Sequence, residues 1–204
     1  MIALSIFILP LLSGLVLLNS PSIPSRKIAS GIGLTMTLLV TAAWIRLAYG
    51  ITDEFHLILM ERIGFNASFQ MSGPSTAMAL LTSLAAFLIP ITSFSSEQVS
   101  AHRFYGWMMI MIGAMMGAFI TTNALFFYLC YELALIPIFF IMLKWGHGQH
   151  LVKIVTRFFL YTLFGSLFML LSMLYVQSTM EFPSFEMVDM IKAANALSAQ
   201  EQGW

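Results

Sequence analysis

The sequence predicts an all-α integral membrane protein of about six transmembrane helices, with an extramembrane loop after the second. Three observations carry this. The chain is 59% hydrophobic and 9% charged, against about 25% charged in soluble domains. Its mean hydropathy is +0.89. Its apolar runs are each long enough, at ~1.5 Å per helical residue, to cross a hydrocarbon core ~30 Å thick. Nine basic and nine acidic residues cancel, so there is no global charge to recruit nucleic acid. The single cysteine, Cys130, excludes an intrachain disulfide framework.

The first predicted span is 2–18. It lacks the basic start and small-residue cleavage pattern of a signal peptide, so it reads as retained, and Pro10 is tolerable where neighbouring helices re-satisfy the freed carbonyl. Pro21, Pro24, Arg26 and Lys27 mark a connector, and a second span follows over 28–49. Residues 51–73 are the least hydrophobic internal piece, with Asp53, Glu54, His56, Glu61 and Arg62. They read as an extramembrane loop in which Phe65–Met71 alternates with the period of a hairpin strand. The third span is 74–94, with Pro74 placed at a helix start. A fourth, 104–121, carries Gly113 and Gly117, a G-x-x-x-G pair that lets another helix approach closely. Only Thr121-Thr122-Asn123 separates it from the fifth span, 123–143, so the two should be antiparallel neighbours. A sixth span, 157–176, completes a transmembrane region of residues 1–176. The tail, 177–204, is too polar to cross. Phe185, Val188 and Ile191 fall there at helical spacing, predicting a short surface helix with Ser184 near its start.

His147 and His150 form no metal site on this reading, because the loop offers no cysteine or carboxylate to complete one. Arg26, Lys27, Arg103, Lys144, Lys153 and Arg157 fall after the odd spans, whereas Arg46, Arg62 and Lys192 fall on the other side. The positive-inside rule then places both termini outside the cytoplasm.

The fifth span holds the candidate site. Glu132 sits near the bilayer midplane, where an ionisable group costs on the order of 3 kcal/mol on insertion scales. Tyr128, four residues earlier, shares its helical face and is a candidate hydrogen-bond partner. Pro137 deprives the Leu133 carbonyl of its helical donor and predicts a kink. Glu132 has two readings: a proton-relay carboxylate, or a protonated acid bonded to a neighbouring helix and fixing assembly. Intramembrane acids are functional by default, which favours the relay. Thr162, Gly165, Ser166 and Ser172 make a small and polar stripe on the sixth span that could face the fifth, read first as a close-packing surface. No Lys or Arg lies deep in any span to act as counter-ion.

Phe126-Phe127-Tyr128 through Tyr131-Glu132-Leu133-Ala134-Leu135-Ile136-Pro137, then Trp145-Gly146-His147, then Arg157 to Ser166, resemble subunit M of bacterial NADH:quinone oxidoreductase, respiratory complex I. This is an antiporter-like subunit related to Mrp-type cation/proton antiporters. The resemblance implies a partial antiporter-like fold and a role in proton translocation coupled to quinone reduction elsewhere. Glu132 would be the acid of the fifth helix, working with a lysine two helices later. It further implies no cofactor in this chain, no direct NADH contact, other membrane-arm subunits and the lipid bilayer as partners, and a bacterial inner-membrane location. Alternatives are an Mrp-type antiporter subunit and a non-transporting assembly protein with a structural Glu132. Two departures stand out. Ser72-Gly73-Pro74-Ser75 replaces the family's Asp-Gly-x-Ser. The family has about fourteen helices in inverted repeats, so a truncated or partial subunit is expected, unable to pump alone.

Overall fold

In the computed structural model, which describes residues 2–20, 24–50, 54–60, 65–92, 100–180 and 184–196, the bundle is organised around one central helix. In chain order the elements are α1 (Ile2–Asn19), α2 (Ser25–Ala48), β1 (Glu54–Met60), β2 (Phe65–Gln70), α3 (Gly73–Thr92), α4 (Ala101–Ile120), α5 (Ala124–Trp145), α6 (Leu151–Ser178) and α7 (Met187–Ala196). Helix α4 is central because its apolar surface is buried nearly all round, Met108, Met109, Ile112, Met116 and Ile120 among it, the pattern of a helix enclosed by others. It touches α1, α2, α3 and α5; α2 pairs with α3, and α6 packs on α5.

The glycines of α4 explain how closely α1 can lie. A Cβ added at Gly113 would sit 2.7 Å from the Leu11 side chain, and one at Gly117 would sit 2.6 Å from Phe7 and 2.7 Å from the Cys130 sulfur. Leu18 meets Gly106 at the other end, so α1 and α4 run antiparallel. In lipid, where apolar burial drives little helix association, such contact supplies the packing energy. The pair Gly113 and Gly117 thus serves α1 and α5 together.

Among the described residues, α2 to α6 are long and apolar enough to span a membrane, whereas the apolar part of α1 is shorter. Together with α1 they occupy the places of the six expected spans. Helix α1, at 18 residues, reaches ~27 Å and still buries Ala3, Ile6, Pro10 and Leu17. Helix α2 starts at Ser25 instead of residue 28. Helix α6 starts at Leu151 instead of Arg157 and runs to Ser178, because nothing helix-breaking separates Leu151 from Arg157 and the turn is completed at His150, in the left-handed region with φ 61°. Helix α3 begins with half of a capping box, the Ser72 amide donating to Ser75 Oγ at 2.8 Å, while the first helical bond runs from the Thr76 amide to the Ser72 carbonyl at 2.9 Å. The Ser72-Gly73-Pro74-Ser75 departure thus has a structural use as a helix start.

Strands β1 and β2 form an antiparallel hairpin in the register Glu54↔Gln70 to Ile58↔Asn66, with an irregularity before Met60↔Phe65. The ribbon continues beyond it through Phe69↔Thr121 and Asn123↔Glu186, so the hairpin, the α4–α5 connector and the tail share one membrane surface. Phe69, 2% exposed, anchors this ribbon against Phe7 and Phe126, with ring centroids 5.7 and 5.2 Å away. Phe185 belongs to the ribbon and is buried, while Val188 and Ile191 of α7 are exposed. The spacing that grouped all three on one helix face was misleading because the backbone is still extended at Phe185. Expectations for Pro21, Asp53, Glu61, Arg62, Phe94 and residues 197–204, and for the side chains of Glu54 and His56, lie outside what is described.

Candidate functional site

Helix α5 starts cleanly. Asn123 is its N-cap, its side-chain oxygen accepting from the Phe126 amide at 3.1 Å, which satisfies one of the donors that a helix start leaves open. From there α5 runs through Pro137 to Trp145 as one helix, with Pro137 and Tyr128 buried. Two turns in, Glu132 is half-buried, and its Oε1 atom is buried with no hydrogen-bond partner among the described residues. Orphaned buried polar atoms are rare in folded proteins, and each calls for an explanation such as a catalytic role, an ion or a water.

The Tyr128 phenol interacts with both the Glu132 carboxylate and the Ser166 hydroxyl of α6. Ser166 is buried and directs its own proton to the Leu163 carbonyl at 2.8 Å. Hydrogen-bond valence then sets the options. While Ser166 donates to its own helix it can only accept from Tyr128, and a phenol has one proton. That proton serves either Glu132 or Ser166. If Ser166 rotates to donate to Tyr128, the phenol is released to Glu132. Which hydroxyl donates to which thus decides whether the carboxylate has a donor from Tyr128.

Beside these residues a cavity of about 370 Å³ separates α5 from α6, lined by Phe127, Tyr131, Thr162, Gly165, Ser166 and Met169. Three residues of the stripe on α6, Thr162, Gly165 and Ser166, face α5 across this gap without packing closely on it. A Cβ at Gly165 would meet nothing within 4 Å. Thr162 spends its proton on the Phe158 carbonyl, and Ser172 is exposed and bonded to Met169. The physical reason is visible along the seam: Phe139 of α5 meets Phe159 of α6 with centroids 4.9 Å apart, and such bulk holds the two helices apart where the small residues lie. The cavity is large enough for several waters, each occupying about 30 Å³.

No cation stands near Glu132 among the described residues. Lys144 lies in the last turn of α5, and Lys153 and Arg157 are exposed in the first turns of α6. His147 and His150 are exposed in the loop between them, and the described residues hold no cluster of three metal-ligating side chains.

A second polar constellation had no counterpart in the sequence reading. Ser68 Oγ donates to Glu186 Oε1 at 2.6 Å, and Thr122 Oγ1 lies 2.8 Å from Ser68 Oγ and 3.0 Å from Glu186 Oε2. Backbone bonds tie the same segments: the Thr122 amide to the Ser68 carbonyl at 3.0 Å, Ala124 to Phe185 at 2.7 Å and Met187 to Thr122 at 2.9 Å. Its one sequence signal was Thr121-Thr122-Asn123, hydroxyls and an amide wedged between two apolar spans.

With this geometry in hand, the likenesses to known proteins are informative. Residues 121–203 match the family described as NADH:quinone oxidoreductase/Mrp antiporter, TM. The chain is 31% identical over 147 residues to NADH-quinone oxidoreductase subunit M of Rickettsia conorii, covering 71% of this chain and 29% of that protein. It is 31% identical over 194 residues to the chloroplastic NAD(P)H-quinone oxidoreductase chain 4 of Mesostigma viride, covering 90% and 37%. Among solved structures it superposes on a chain of respiratory complex I from Thermus thermophilus with bound NADH, at TM-score 0.81 and 26% identity, covering 95% of this chain and 41% of that one. A chain of the Mrp complex from Dietzia matches at TM-score 0.69 and 14% identity, covering 94% and 21%, a likeness of fold alone.

Fold and matched segment define the class: a multi-pass membrane protein with a partial antiporter-like fold. More particularly, the chain is similar to subunit M, or chain 4, of NADH:quinone oxidoreductases, and it spans 29 to 37% of the length of the relatives named here.

Proposed function

We propose that this chain forms part of an antiporter-like membrane-arm subunit of NADH:quinone oxidoreductase, in which Glu132 is a relay carboxylate for protons. The observation that carries the reading is the buried Oε1 of Glu132, without a partner among the described residues, beside a hydroxyl pair, Tyr128 and Ser166, that can supply or withhold one donor. A carboxylate held only for assembly would have both oxygens bonded, since an unpaired buried acceptor costs about 1–3 kcal/mol or more if charged. An acid that alternately takes and gives a proton needs an open oxygen.

The chain would bind no redox cofactor and would not touch NADH; it would work with other membrane-arm subunits, driven by quinone reduction elsewhere in the complex. Its role would be that of a translocase subunit in a bacterial inner membrane. The positive-inside rule would put the hairpin, the 121–123 connector and α7 outside the cytoplasm. Pro137, a turn beyond Glu132, would leave the Leu133 carbonyl open to bind water on the proton path. The alternative of an Mrp-type antiporter subunit draws on likeness of fold at 14% identity, while the relatives above 30% identity are named as quinone oxidoreductase subunits.

The test is Glu132→Gln in the complete complex, in membrane vesicles, with NADH oxidation and acidification measured together. The reading requires proton movement to fall while the complex still assembles. Wild-type translocation by the variant would overturn it. Sodium- or potassium-dependent proton exchange without any need for NADH would favour the antiporter reading instead.

A further inference from the structure

At the end of the bundle opposite the polar ribbon, α1, α4 and α5 border an open groove of about 600 Å³ lined by Leu18, Arg103, Trp107, Phe140, Leu143 and Lys144. We infer that this groove binds one anionic phospholipid, its phosphate between Arg103 and Lys144 and an acyl chain along Trp107, Phe140 and Leu18.

The placement of the cations follows from topology. Helices α4 and α5 are joined by 121–123 at the ribbon surface, so Arg103, at the start of α4, and Lys144, at the end of α5, emerge together at the other surface. Among the described residues no carboxylate pairs with either. Below them the wall is aromatic: the Trp107 and Phe140 rings stack with centroids 4.7 Å apart and planes 17° apart. Beside it Lys144 Nζ stands 5.0 Å from the Trp145 ring centroid, and Trp145 meets Phe104 edge-on at 5.4 Å. Trp at this depth, with cations above it, marks the boundary between headgroups and hydrocarbon. Basic pockets between transmembrane helices at this level suit lipid headgroups.

Chemistry separates a lipid from a free anion. An inorganic phosphate seated between the cations would face aromatic and aliphatic carbon below and lose hydration without compensation. A phospholipid presents its phosphate to the cations and hydrocarbon to that wall. The groove is separate from the candidate proton site, since Phe140 lies eight residues, ~12 Å of helix, from Glu132. The lipid site therefore does not depend on the reading of Glu132.

The experiment places the complete complex in phosphatidylcholine nanodiscs and titrates phosphatidylglycerol, reading bound lipid by native mass spectrometry. At about fivefold per basic residue near the surface, Arg103→Gln with Lys144→Gln should weaken retention about 25-fold. Lys153→Gln with Arg157→Gln removes the same charge from the exposed start of α6 and should leave retention unchanged. Trp107→Ala should weaken it with no change of charge, and Trp107→Phe should restore it, which guards against a folding artefact. Equal losses in the two charge variants would show unlocalised attraction and overturn the site. No phosphatidylglycerol retained by the wild type would also overturn it, as would displacement of the lipid by excess inorganic phosphate.

Discussion

Glu186 and Glu132 are both half-buried, and the protein treats them in opposite ways. Glu186, in the ribbon, has both oxygens served by the hydroxyls of Ser68 and Thr122, and its amide bonds to Ser184 Oγ at 3.2 Å. Glu132, within α5, keeps one oxygen buried and unserved among the described residues. A buried carboxylate with every acceptor filled is a fastener: hydrogen bonds to a charged group contribute about 1.5–3 kcal/mol each and are lost only by opening the structure. A carboxylate left short of donors costs the fold something and has room to gain a proton, a water or a cation. Satisfaction of the acceptors, more than burial, separates the structural acid from the candidate functional one.

That contrast can be broken by experiment, beginning with the largest effect. Glu132→Gln should reduce proton translocation on the order of 10²-fold, the usual scale for a lost general acid–base group. Glu186→Gln in the same complex should leave translocation close to wild type. If both variants lost pumping equally, the distinction between the two acids would fail.

Glu186→Ala is the next largest. It strands the Ser68 and Thr122 hydroxyls, at a cost of about 2 kcal/mol to the local structure. Hydrogen exchange should report it as lost protection at the Ala124 and Met187 amides, which bond across the lock, while α4 keeps its own. Unchanged protection at those amides would show that the backbone ladder alone holds the tail.

Smaller effects should come from the hydroxyl pair. Tyr128→Phe removes the phenolic proton with little change of shape and should slow translocation about tenfold, the kinetic equivalent of ~1.4 kcal/mol. Ser166→Ala removes only the partner that competes with Glu132 for that proton. It should change the rate less than Tyr128→Phe does, and Ser166→Thr should recover it. A larger effect for Ser166→Ala than for Tyr128→Phe would contradict the order in which the two hydroxyls reach the carboxylate.

Much of this was legible in the chain, for local reasons. The spans follow from apolar length, the antiparallel α4–α5 pair from a three-residue connector, and the choice of Glu132 as a candidate from the cost of an acid in hydrocarbon. Tyr128 was legible because i and i+4 share a helix face. Gly113 and Gly117 announced a close neighbour, though not that α1 would supply it. The start of α6 was misplaced because Lys153 and Arg157 look like an interface, and a charged first turn does not stop a helix from forming earlier. Of the stripe Thr162, Gly165, Ser166 and Ser172, the first three line the gap toward α5 and Ser172 is exposed; small residues permit close approach only when nothing bulky beside them keeps the helices apart.

The sequence by itself determined a multi-pass helical membrane protein with one acid deep in its fifth helix, because span length, charge depletion and helical periodicity act over neighbouring residues. Only the tertiary structure decided which acid would be satisfied. Ser68, Thr122 and Glu186 are separated by 54 and 64 residues in the chain, and no local rule predicts that a strand, a connector and a tail will pool their hydroxyls around one carboxylate. The same holds at Glu132. Its neighbour Tyr128 is written into the helix, but the competing hydroxyl of Ser166 and the open space beside it exist only because α6 packs on α5 at that distance.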